Sequence, residues 1–82
     1  MSALAGKYTV MIASDMDHER VYAEIYCDGR FVVLVSQESG LHSKMLEFPG
    51  PGLEEGLISR KVDLEGFQRA VELAAGMLDG EE

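Results

Sequence analysis

The dipeptide Asp28-Gly29 lies between two runs of β-forming residues, VYAEIYC before it and FVVLVSQ after Arg30. No other feature of the chain restricts its fold as much. A two-residue type I′ turn needs positive φ at both central positions, and Asp-Gly meets that need at little steric cost. Residues 21–27 are therefore expected to pair antiparallel with residues 31–37. In that register Cys27 faces Arg30, Tyr26 faces Phe31, Ile25 faces Val32 and Glu24 faces Val33. Side chains alternate along a strand. One face then carries Val21, Ala23, Ile25, Val32 and Leu34, and the other Tyr22, Glu24, Tyr26, Phe31, Val33 and Val35. Both faces are apolar, whereas a small antiparallel sheet commonly hides one face and wets the other.

The rest of the chain sets what can cover those faces. Residues 7–13 (KYTVMIA) read as a strand, residues 14–20 (SDMDHER) as a polar loop, and residues 42–48 as a further strand after the turn Glu38-Ser39-Gly40. The stretch Pro49-Gly50-Pro51-Gly52 breaks regular structure, with a short extended piece expected around Ile58. Asp63 suits the cap of a helix starting at Leu64, because its carboxylate accepts from free backbone amides at the positive end of the helix. Leu64, Phe67, Ala70, Val71, Ala74, Ala75, Met77 and Leu78 share one helical sector, opposite Glu65, Gln68, Arg69, Glu72 and Asp79. Gly66 and Gly76 weaken this helix, Gly80 is a natural stop, and Glu81 and Glu82 fall beyond it. The expected architecture is one small α+β domain over residues 1–82. It is an antiparallel β-meander of about four strands with one C-terminal amphipathic helix packed on one face.

One helix covers one face. The other, aromatic with a carboxylate in its midst, has the composition of a protein-contact surface, unless strand 7–13, strand 42–48 or the Pro/Gly segment folds over it. The candidate partner-binding residues are Tyr22, Glu24, Tyr26, Phe31 and Val33, joined by the loop acids Asp15, Asp17 and Glu19. The formal net charge of −8 argues against nucleic acid and against an anionic membrane surface, both of which call for clustered Lys and Arg. It favours a basic protein partner.

Candidate chemistry is sparse. Asp15-x-Asp17-His18-Glu19 offers oxygen and imidazole ligands but lacks calcium-loop spacing, and reads as a solvated acidic loop. The single cysteine, Cys27, has no spacing to His18 or His42 that marks a nucleophile and its base. No catalytic residue, metal ligand or cofactor motif is expected. With one cysteine, no apolar run of membrane-spanning length and no basic n-region at the start, the expected location is cytoplasmic.

The segments AEIYCDGRFVVLVSQESG and ISRKVDLEGFQRAVELA together resemble a loose group of small bacterial proteins with a hairpin meander and a C-terminal helix, to which no reaction is attached. In size, charge and architecture the chain also resembles the immunity proteins that neutralise bacterial toxins. The resemblance implies a non-enzymatic, antitoxin-like protein that binds a cognate toxin directly. The alternative is a homodimeric structural or regulatory domain whose two sheets bury their aromatic faces on each other.

Overall fold

A computed structural model describes residues 2–40 and 42–81. Among the described residues five strands follow one another in an antiparallel meander: β1 (Ser2–Ala5), β2 (Tyr8–Ala13), β3 (Tyr22–Cys27), β4 (Arg30–Ser36) and β5 (Met45–Glu47). A helix, α1 (Leu64–Glu81), packs on one face. The α+β meander is as expected, with one strand more. β1 (SALA) has no β-branched residue and no alternation to announce it. It is turned back onto β2 by the two-residue loop Gly6-Lys7, whose glycine has φ of 63°. The strand expected over residues 42–48 contracts to three residues.

The central hairpin closes as its turn demands, with φ of 51° at Asp28 and 84° at Gly29. Cys27 faces Arg30 and Tyr26 faces Phe31, but the register then shifts, so that Ile25 faces Val33, Glu24 faces Leu34 and Ala23 faces Val35. Val32 is the extra residue of a β-bulge, which sets two residues against one and inverts the facing of all that follows. This corrects the expected faces. Val33 and Val35 are buried with Ile25 under the helix, and Leu34 moves to the open side.

The core lies between α1 and the first four strands. Ala70, Ala74 and Leu78, four apart on the helix, are fully buried against Tyr8, Val10, Ala23, Ile25, Val33 and Val35. Two alanines in that line let the helix sit close to the sheet. The helix does not reach β5, so Leu64, expected in the buried sector, is exposed. Helical structure continues through Gly80 to Glu81, and Glu82 lies outside the described residues.

Asp63 caps α1 as expected, with its Oδ2 accepting from the Gly66 amide at 2.8 Å. Its Oδ1 accepts from the buried Tyr8 hydroxyl at 2.7 Å and lies 3.3 Å from the Lys7 ammonium. The Tyr8 hydroxyl, the Gly66 amide and Lys7 hold the Asp63 carboxyl down at about 2. Burial, reinforced by the carboxylate, pushes the Tyr8 phenol up.

The connection from β5 to α1 is strapped to the sheet. Ile58 forms a parallel bridge with Phe31, and the Ser59 amide donates to the Phe31 carbonyl at 2.9 Å. Arg60 donates through Nε and Nη2 to the carboxylate of Glu55, at 2.8 and 3.0 Å, and through Nη1 and Nη2 to the carbonyls of Pro49 and Gly50. This guanidinium fastens the Pro/Gly corner to the 3-10 turn Glu55–Leu57.

Candidate protein-docking face

Pairing across the sheet builds the face away from α1 in two rows. One runs Ser2, Met11, Glu24, Leu34 and Glu47; the other runs Leu4, Thr9, Tyr26 and Phe31. The Tyr26 and Phe31 rings meet edge to face with centroids 5.7 Å apart, a favourable aromatic geometry. Leu53, Glu54, Leu57 and Ile58, brought there by the strapped connection, wall a shallow hollow of about 340 Å³ over Glu24, Tyr26 and Phe31. Large apolar side chains are left in water: Leu4 is 76% exposed, Leu57 65% and Leu53 54%. The half-buried Glu24 and the exposed Glu47 and Glu54 stand among them. Burial and the neighbouring Glu24 push the Tyr26 phenol up, so this phenol stays a neutral hydrogen-bonding group.

The expected site residues separate. Glu24, Tyr26 and Phe31 come together on this face. Tyr22 belongs to the same face but is only 8% exposed, because the loop over residues 14–21 folds across it. Its ring packs against that of His18 with centroids 4.6 Å apart, and its hydroxyl donates to Asp15 at 3.1 Å. Val33 lies on the opposite face, under the helix.

One of the loop acids, Asp15, holds the loop itself. The Asp15 carboxylate also accepts from the Asp17 amide at 2.9 Å and pairs with His18 Nδ1 at 2.8 Å. The amides of Glu19 and Arg20 donate to the carboxylate of Glu38. Hydrogen bonding to Asp15 raises the His18 pKa above its ordinary value, with the charges of Asp15, Glu47 and Glu38 in support; in turn His18 lowers the Asp15 carboxyl. Asp17 and Glu19 remain exposed at the loop surface.

Leu4, Met11, Leu34, Leu53 and Leu57 were not legible as members of this face. Leu4 belongs to a strand without a pattern, Leu34 arrives through the bulge, and Leu53 and Leu57 flank the polar run Glu54-Glu55-Gly56 with no strand or helix period to assign them a face.

Among the described residues, no group of three or more His, Cys, Asp and Glu is placed to hold a metal ion. His18 packs at the start of β3 and the buried Cys27 ends it. The strand separates them by roughly 17 Å at about 3.4 Å per residue, too far for a base and its thiol. No helix among the described residues is long and apolar enough to cross a membrane. What this arrangement can do is desolvate an apolar surface while its carboxylates meet positive charge. Compared with protein-family models, curated proteins and solved structures, the chain matches none.

Proposed function

We propose that this protein is a non-enzymatic binding module of the immunity or antitoxin kind, which neutralises a basic protein toxin by seating it on the open sheet face. One observation carries the reading. Leu4, Met11, Tyr26, Phe31, Leu53 and Leu57 form an uncovered apolar face with carboxylates among and around them. Rigid aromatic and aliphatic anchors supply the desolvated centre of a contact, while the carboxylates attract a cationic partner and reject an acidic one. Affinity capture from host lysate tests this with wild type beside Tyr26→Ala/Leu57→Ala. The expected catch is one stoichiometric basic protein, lost with the folded double variant. Its binding weakens with added salt, and it is toxic when expressed without its inhibitor. Capture that ignores both substitutions, or a captured protein that is harmless alone, contradicts the reading.

Self-association is the second reading, favoured by β5. Its residues are all exposed and its outer side has no neighbouring strand among the described residues, an open edge of the kind that pairs with another chain. The charge of −8 on each copy opposes it. A sedimentation mass that rises with concentration would support it, and a constant monomer mass would remove it.

A further inference from the structure

The chain has seven Lys and Arg against fifteen Asp and Glu, yet three of those seven cations line one hollow. Lys7, Arg30 and Lys61, with Cys27, Asp28 and Ser59, enclose a polar depression of about 360 Å³ at the turn end of the sheet. These cations are far apart in sequence, and backbone hydrogen bonds bring them together. The Asp28 amide donates to the Lys7 carbonyl at 3.0 Å, joining the two hairpin turns. The Ser59 amide donates to the Phe31 carbonyl at 2.9 Å, laying the segment before α1 beside the start of β4. Lys7 has Asp63 at 3.3 Å. Arg30 and Lys61 have no carboxylate within 4.0 Å among the described residues. In a protein with so large a surplus of acids, leaving two cations unpaired in one concavity keeps their donors free for an anion from solution.

We propose that this hollow is an anion site for a small phosphate-bearing ligand, with Arg30 supplying a planar two-donor fork, and Lys61 and Lys7 supplying point charges. The site is separate from the docking face and does not rest on the toxin-binding reading. Among the described residues that line it, Asp28 is the one opposing charge, and Asp63 offsets Lys7 from beside the hollow. Because Asp28 sits at positive φ, where Asn is also well tolerated, Asp28→Asn removes that charge without disturbing the turn.

The test is an amide NMR titration of the full chain with sodium pyrophosphate and, separately, with inorganic phosphate, against sodium chloride at matched ionic strength. Saturable shifts are expected at Gly29, Arg30, Ser59 and Lys61. Affinity should fall by about fivefold for each of Arg30→Gln and Lys61→Gln, the upper range for an exposed ion pair, and should rise for Asp28→Asn. Lys44→Gln, whose ammonium is paired with Asp79 on α1, should leave the affinity unchanged. Shifts that match chloride, or saturable shifts that survive in folded Arg30→Gln/Lys61→Gln, would overturn the proposal. Saturation by pyrophosphate but not by phosphate would narrow the ligand to the diphosphate class.

Discussion

Gly66 and Gly76 both lie inside α1, and the same change to alanine should move stability in opposite directions. Alanine is favoured over glycine in a helix by about 1 kcal/mol. At Gly76, exposed and with nothing within 4 Å of an added Cβ, that gain should appear nearly whole. At Gly66 an added Cβ would stand 2.5 Å from Asp63 Oδ2, 2.8 Å from Tyr8 Cε2 and 3.0 Å from Asp63 Oδ1. The carboxylate is held there by the Gly66 amide and the Tyr8 hydroxyl, and the Tyr8 ring is buried. Overpacking of this kind typically costs about 1–3 kcal/mol, more than the propensity gain, for a net loss on the order of 1 kcal/mol. In a domain of this size 1 kcal/mol moves the melting midpoint by about 4–8 °C. Thermal melts followed by helical circular dichroism should place Gly76→Ala above wild type and Gly66→Ala below it. If Gly66→Ala stabilised as much as Gly76→Ala, the closed arrangement of Asp63, Tyr8 and Gly66 would be refuted.

Leu78→Ala should cost about 2–5 kcal/mol in a urea melt, because Leu78 is fully buried in a thin core, and Val71→Ala, at a half-buried position, should cost less. The raised pKa of His18 means that its contribution to loop closure is fully present below about pH 6.5 and is lost as pH rises through the raised value. Amide exchange over residues 14–21, corrected for its intrinsic pH dependence, should therefore quicken above that point, and His18→Gln should remove the step. The depressed Asp63 carboxyl works in the other sense: its contribution is present above the ordinary carboxylate range and is lost as pH falls from about 4 towards about 2. Tyr8→Phe deletes the main cause of that depression, so carboxyl NMR should find the Asp63 pKa higher in that variant.

The turn at Asp28-Gly29, the cap at Asp63 and the buried helical line Ala70, Ala74 and Leu78 were legible in the sequence because each is a local signal, a φ preference, a hydrogen-bond acceptor or a period. The bulge at Val32 was not legible. It sits within FVVLV, where every residue suits either face, so no residue type marks the shift in register. That one residue reversed the facing of Val33, Leu34 and Val35 and removed Val33 from the candidate site. Tyr22 is covered for a different reason: it faces the open side as its alternation predicts, but the exposed acidic loop also packs His18 on its ring and bonds Asp15 to its hydroxyl. The basic hollow joins positions 7, 30 and 61 through tertiary contacts alone, so only the folded chain displays it.

The most direct test of the proposed docking face is a methyl NMR spectrum of the labelled chain with and without the partner that affinity capture is expected to yield. Met11, Leu53 and Leu57 report on the open sheet face, and Leu46 and Leu64 on the groove between β5 and α1. Broadened or shifted signals from Met11, Leu53 and Leu57, with Leu46 and Leu64 unchanged, are the expected result. Changes confined to Leu46 and Leu64 would move the partner to the helix side and contradict the assignment of the open face.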